Sequence, residues 1–283
     1  MEEVKYFPPK DTEEALKLLA EYGEKATILA GGTDLMPRIN YHVLRPEVII
    51  YIGGMDSPEP FEKDGKLIIS ALTPTSRLIE SELINKRATA LAEAARQTGC
   101  LETRNTGTIG GNLGNASPAA DLATPLLVMD AELQLKSGDG ERLVAIKDFF
   151  VGPGQTVCKA DELIAEIHIP AFSGKTAFFK LGRRKAMTLS VVNVAVRLDL
   201  SGQKCTEARI ALGSMAPTPM RCLKAEQMLE GKALDRALIT ECAAQAVSES
   251  NPIDDQRASA WYRRKAGAAL VAQALSQAGG IAG

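Results

Sequence analysis

The sequence predicts an α+β protein built in three parts, residues 1–55, 56–172 and 173–283. Three observations carry this reading. In the first part, short apolar strands alternate with segments of helical spacing. In the second, runs that alternate apolar and polar residues meet at a hairpin signal. Beyond Pro170, two strand-like runs give way to helices. A chain of 283 residues is long for a single small core and suits two or three packed units.

The elements follow in order. Lys5-Tyr6-Phe7 is a short strand ended by Pro8-Pro9. Asp11 and Glu14 have capping-box spacing, and Ala15, Leu18, Leu19 and Tyr22 recur at helical intervals before Gly23. Ala26 to Ala30 is a buried strand that runs into Gly31-Gly32, and Glu47 to Ile52 is another strand. Helices between such strands favour parallel pairing. Lys66 to Ala71 is a strand, Lys86 to Thr98 an Ala-rich helix ended by Gly99, and Cys100 to Asn115 a loop. Ala131 to Lys136 alternates as a half-buried strand does, and Ser137 to Gly140 turns it into Arg142 to Ala145. Glu162 to Ile169 alternates again and closes at Pro170. In the last part, Ser190 to Leu200 and Cys205 to Leu212 are strands around Ser201-Gly202. Arg221 to Glu230, Asp235 to Glu249 and Arg257 to Ala278 are helices, and the Ala-Gly tail frays.

Composition excludes several function classes. The formal net charge of −2 gives no electrostatic footprint for nucleic acid. No apolar run is long enough to span a bilayer, and the charged start Met1 to Lys5 does not resemble a secretory signal. Cys100, Cys158, Cys205, Cys222 and Cys242 are widely spaced, which suits free thiols in a reducing cytoplasm and argues against an iron–sulfur or zinc site built by this chain alone. The only histidines, His42 and His168, lie outside the glycine-rich segments, so neither a metal site nor a Ser-His-Asp triad is expected.

Two segments carry chemistry. In Leu29-Ala30-Gly31-Gly32-Thr33-Asp34-Leu35-Met36, a strand delivers the chain to two glycines, whose N–H groups can approach an anion closely. Thr33 adds a hydroxyl, and Asp34 is expected to fix the loop by accepting backbone N–H bonds. The second segment runs from Arg104 to Asp121 and includes Thr108-Ile109-Gly110-Gly111-Asn112 and Ser117. Its glycines, small hydroxyls and few charges suit binding through backbone donors. Asp121 could accept hydrogen bonds from a ligand or cap a helix starting near Leu122. Neither segment is a P-loop, a Rossmann fingerprint or a nucleophile elbow.

Taken together, these motifs resemble the FAD-binding medium subunit of the molybdenum hydroxylases, the xanthine dehydrogenase, carbon monoxide dehydrogenase and nicotinate dehydrogenase family. The resemblance continues in Lys180-Leu181-Gly182-Arg183-Arg184, in Ala208 to Pro219 and in Tyr262-Arg263-Arg264, so it spans essentially the whole chain. It implies two α/β subdomains clasping FAD (the PCMH-type fold), then a small antiparallel sheet with a helical bundle. It further implies non-covalent FAD held at its pyrophosphate by Leu29 to Met36 and Thr108 to Asn112, with Ser117 and Asp121 near the ribityl and adenosine portions. Lys180 and Leu189 would lie beside the cofactor, and some relatives carry Tyr where Leu189 stands. Molybdopterin and two [2Fe–2S] clusters would belong to a large and a small partner subunit, in a dimer of heterotrimers that passes electrons through FAD to an acceptor such as NAD or a quinone. Two other readings compete: a stand-alone flavin oxidase, and a scaffold that has lost its flavin.

Overall fold

The computed structural model describes residues 4–281. Most of the Met1 to Lys5 segment and the end of the Ala-Gly tail lie outside the described residues.

The N-terminal layer is a three-stranded parallel sheet. Its strands are β1 (Lys5–Phe7), β2 (Ala26–Leu29) and β3 (Val48–Tyr51), in the order β1-β3-β2. Helix α1 (Thr12–Tyr22) starts where Asp11 accepts the Glu14 N–H at 2.9 Å and ends at Gly23, whose φ of 50° suits glycine. Ala15 and Leu19 of α1 pack on Val48, Ile50 and Leu163. Strand β2 is only half-buried, not buried as its apolar run suggests. It is the sheet edge, and helix α2 (Leu35–Asn40) follows directly after its glycine turn.

The middle layer is a five-stranded antiparallel sheet. It contains β4 (Phe61–Lys63), β5 (Lys66–Ser70), β6 (Glu132–Ser137), β7 (Gly140–Ala145) and β10 (Leu163–Ile169), in the order β4-β5-β10-β6-β7. The ribbon β8 (Phe150–Gly152) and β9 (Gln155–Thr156) lies between β7 and β10. Helices α3 (Thr75–Glu80), α4 (Glu82–Arg87), α5 (Thr89–Gln97), α6 (Leu101–Thr106), α7 (Ile109–Gly114) and α8 (Ala123–Val128) connect β5 to β6.

Two expectations are corrected in this stretch. The Ala-rich helix expected at 86–98 is two helices, broken at Ala88 (φ −140°, ψ 52°). Ser81 caps α4 through the Ile84 N–H, and the first turn of α5 is completed from outside, by Thr176 Oγ1 accepting the Ala90 N–H at 3.2 Å. The loop expected at 100–115 holds α6 and α7. Thr108 N-caps α7 by accepting the Gly111 N–H at 3.0 Å, and Ile109 and Leu113 fill the core below.

The C-terminal layer is a four-stranded antiparallel sheet, β11 (Lys175–Gly182), β12 (Ser190–Ser201), β13 (Lys204–Gly213) and β14 (Met220–Arg221), in sequential order. Strand β11 was not anticipated, since Lys175 and Lys180 bracket its short apolar centre, Ala177-Phe178-Phe179. Helices α9 (Leu223–Leu229), α10 (Arg236–Ser248) and α11 (Ala260–Gly279) cover this sheet. Helix α11 starts three residues later than expected, because Asp255 binds the Arg257 and Ala258 N–H groups in a turn and Ser259 makes the cap. The middle core reaches Phe178, Ala195 and Ala211, so the second and third layers share one apolar interior.

Candidate functional site

The three layers meet around a cleft of about 770 Å³. Its floor is the first glycine turn, one wall is α7 with the segment down to Asp121, and the opposite side includes Leu163 and Ile164 of β10. Met187, Thr188 and Leu189, in the connection between β11 and β12, form its mouth. A second cavity of about 490 Å³ lies against Leu29, Ala30, Gly31, Gly32 and Met36, so the same turn walls both.

The turn is shaped for close approach. Gly32 has φ 69°, a conformation that a side chain disfavours. A β-carbon at Gly31 would land on the carbonyl oxygen of Thr106 and 2.9 Å from the Gly107 Cα. The two glycine-rich segments therefore touch backbone to backbone. The N–H groups of Gly31, Gly32, Thr33, Asp34 and Leu35 have no acceptor among the described residues. Five consecutive free donors at the base of a cleft are what an anionic group needs. Asp34 does not fix this loop as expected. Its carboxylate bonds no backbone N–H and lies 3.8 Å from Arg38 Nη1, both side chains being about half exposed.

The second segment is built the opposite way. Ile109 N–H donates to Thr73 O (3.1 Å), Gly110 N–H to Ala71 O (2.8 Å), and Asn112 N–H to Thr108 O (3.0 Å). With Gly111 engaged by Thr108, four amides expected to face a ligand are held within the protein. The physical reason is that α7 docks its first turn on the end of β5. A β-carbon at Gly110 would come within 2.6 Å of Ala71 Cβ. What this wall offers a ligand is side-chain polarity: Asn112 Oδ1 is buried without a partner. Thr108, Gly110, Gly111, Asn112, Ser117 and Asp121 line the cleft, whereas Ile109 is fully buried in the core.

Asp121 is neither an exposed acceptor nor a helix cap. It is 5% exposed, and α8 begins at Ala123 without a side-chain cap. Its Oδ2 accepts from Lys180 Nζ at 2.6 Å, and its Oδ1 from Ser190 Oγ at 2.5 Å and Asn193 Nδ2 at 3.2 Å. Burial pushes its carboxyl up, against the pull of the Lys180 ammonium and these two donors. Lys180 stands behind the wall, with its three protons on Asp121, Gln97 O and Thr188 O.

Sequence reasoning missed several wall residues. Thr98, Gly99 and Thr103 line the cleft just ahead of the second segment, with Gly99 close enough to have drawn notice, and Gly107 within that segment lines it too. Thr156, Cys158 and Glu162 line it too, with no signal in the sequence. Glu162 is buried, and paired Nε and Nη2 bonds from Arg142 (2.7 and 2.8 Å) hold its carboxyl below the usual range. Burial raises the Cys158 thiol to about 11, which disfavours the thiolate at neutral pH. Neither histidine lines the cleft.

Comparison with known proteins decides the family. Residues 2–172 match the model of the FAD binding domain in molybdopterin dehydrogenase, and residues 177–278 that of the CO dehydrogenase flavoprotein C-terminal domain. The chain belongs to this family. It is thus an FAD-binding chain of the molybdenum hydroxylases, a group of oxidoreductases. It is 31% identical over 276 residues to the glyceraldehyde dehydrogenase medium chain of Sulfolobus acidocaldarius, covering 97% of this chain and 98% of that one. Identity to the carbon monoxide dehydrogenase medium chain of Hydrogenophaga pseudoflava is 32%, covering 96% of each. Among solved structures, reconstituted CO dehydrogenase from Oligotropha carboxidovorans superposes with a TM-score of 0.95 at 30% identity, over 99% of both chains. The residues of the cleft fit the cofactor of this flavoprotein family, since the free donors, the orphaned Asn112 oxygen and the cavity volume all suit a long polar dinucleotide.

Proposed function

We propose that this chain holds FAD without a covalent bond in the cleft between its three layers and relays electrons from a partner's [2Fe–2S] clusters to an external acceptor. The observation that carries the reading is the row of unengaged amides from Gly31 to Leu35 at the cleft floor. These donors would take the pyrophosphate, with glycine at 31 letting this backbone lie against Thr106 and Gly107 and glycine at 32 supplying the φ of 69° that the turn needs. Asn112 and Ser117 would face the ribityl and adenosine portions, and Leu189 would pack near the ring. Bound FAD supplies a carrier of one or two electrons; the chain's residues bind it, orient it and limit its exposure to water. Three units, 1–55, 56–172 and 173–283, would clasp the cofactor, a division supported by one main sheet in each.

The relatives are medium chains by name. The reading therefore includes a molybdopterin-binding large subunit and a [2Fe–2S] small subunit, assembled as a dimer of heterotrimers, with NAD or a quinone as acceptor. It places the assembly in the cytoplasm; no helix among the described residues is long and apolar enough to cross a membrane.

Purification from the native source with a visible spectrum tests this. Flavin bands, iron–sulfur absorption, two further polypeptides and bound molybdenum are expected. A colourless chain that takes up no added FAD would overturn it, and a lone yellow chain that oxidises a substrate would favour the stand-alone oxidase.

A further inference from the structure

The second cavity, of about 490 Å³, lies across the first glycine turn from the cleft. It sits at the carboxyl ends of β2 and β3, whose last residues, Leu29 and Tyr51, line it; ligands of open parallel sheets gather at such ends. A backbone partition separates the two spaces. The Gly31 backbone lies against Thr106 and Gly107 with no room for a β-carbon, and Thr106 faces the second cavity while Gly107 faces the cleft. The lining is apolar, with a fixed ring and an idle hydroxyl. Tyr51 is stacked on Tyr6 (centroids 6.2 Å apart, planes at 22°), and a β-carbon at Gly53 would meet the Tyr51 ring at 2.8 Å, so the ring is held at the wall. Leu29, Leu72 and the thioethers of Met36 and Met55 complete an adaptable apolar surface. Thr73 lines the same cavity and is 2% exposed. Its N–H donates to Ser70 O and its carbonyl accepts from the Ile109 N–H, but its hydroxyl has no partner. A buried hydroxyl left unpaired costs stability until a ligand supplies a partner. The charged side chains on the lining are Arg77 and Glu59, and they pair with each other.

We propose that this cavity is a second small-molecule site, whose ligand is a neutral, flat ring bearing a carbonyl, of the quinone class. An apolar hollow of this volume with a single buried polar group is how small-molecule sites are built. The ring would lie along Tyr51, and the Thr73 hydroxyl would donate to the carbonyl. A dinucleotide does not suit the cavity, because its cation, Arg77, is already neutralised by Glu59 and buried phosphates would lack a counter-charge. The site stands on its own lining and does not require that the neighbouring cleft hold flavin.

The test is calorimetric titration of the purified protein, with its accompanying subunits and without reductant, by duroquinone. This quinone is fully substituted on its ring, so it does not add to cysteines. One saturable site per chain is expected, unaffected by added FAD. Ser57→Trp puts a large side chain on the cavity lining, away from the cleft, and should abolish duroquinone binding while the FAD content stays at the wild-type value. Thr73→Val keeps the shape and removes the hydroxyl, and should raise the dissociation constant about three- to tenfold. Glu59→Gln leaves the Arg77 charge unpaired and should shift the preference toward the anionic anthraquinone-2-sulfonate. No saturable binding, displacement of duroquinone by FAD, or wild-type affinity in Ser57→Trp or Thr73→Val would overturn the proposal. If Thr73→Val does not fold, Ser57→Trp decides. A colourless protein that still binds duroquinone would keep this site and overturn the flavin reading instead.

Discussion

The Cα of Gly31 faces the carbonyl of Thr106 so closely that no β-carbon fits between them. This contact joins the two glycine-rich segments and sets the width of the cleft floor. Gly31→Ala should push them apart at an overpacking cost of about 1–3 kcal/mol. Because the free amides of Gly31 to Leu35 ride on that backbone, part of the cost should appear as weaker FAD binding, about tenfold or more in Kd. Titration of the apoprotein with FAD, followed by calorimetry, measures it; unchanged affinity would separate the contact from the site.

Gly110 and Gly111 are adjacent and should behave differently. A methyl group at Gly110 meets Ala71 Cβ at 2.6 Å and Ala71 O at 2.7 Å, whereas at Gly111 it meets only Thr108 Oγ1 at 3.0 Å. Gly110→Ala should therefore lower the melting temperature of the apoprotein itself, by about 1–3 kcal/mol of stability, as α7 is levered off β5. Gly111→Ala should leave apoprotein stability nearly intact. Thermal melts of both variants without flavin would check this; equal melts would mean that α7 does not depend on this packing.

Asp255 gives the fold an acid-sensitive anchor. Burial pushes its carboxyl up, but the N–H groups of Arg257 and Ala258 and the Arg263 guanidinium outweigh this and hold it at about 2, below its ordinary 3.8. A carboxyl depressed in the folded state stabilises above its ordinary value, and that contribution is lost as the pH falls toward the folded one. Wild type should thus lose stability across pH 3.8 to about 2 more steeply than Asp255→Asn, and should be the more stable of the two at neutral pH. Denaturant midpoints across that range would reveal it; parallel curves would contradict the assignment.

Glu93 has the opposite sign. Its carboxylate accepts the Phe178 N–H at 2.9 Å, and burial pushes it up against the pull of that bond and of Arg96. A raised carboxyl costs stability once the pH climbs above its ordinary 4.5. Glu93→Gln keeps the acceptor and removes the charge. It should melt higher than wild type at neutral pH, with the advantage gone below pH 4.5.

What the sequence made legible followed from local rules. The alternation of Ala131 to Lys136 and of Glu162 to Ile169 is the pleat itself, and Asp11 and Gly23 mark α1 because capping is decided within one turn. The first glycine turn was readable because a strand runs straight into two glycines. The second was misread, because a six-residue helix with three glycines has no apolar period and forms only where Thr108 caps it and β5 receives it. The partners of Asp121 could not be read locally, since Lys180 and Ser190 lie 59 and 69 positions away. A carboxylate before an apolar run looks like a cap until the fold brings a lysine to it.

The unengaged amides from Gly31 to Leu35 bear on how the protein survives in a cell. Without FAD these five donors face solvent and the turn lacks an ordered acceptor, so the apoprotein should open here more readily than the loaded chain and be cut sooner by proteases. FAD at about a hundred times its dissociation constant would add about 2.7 kcal/mol to the folded state. The abundance of the chain would then follow riboflavin supply as well as transcription, with unloaded copies the first to be cleared.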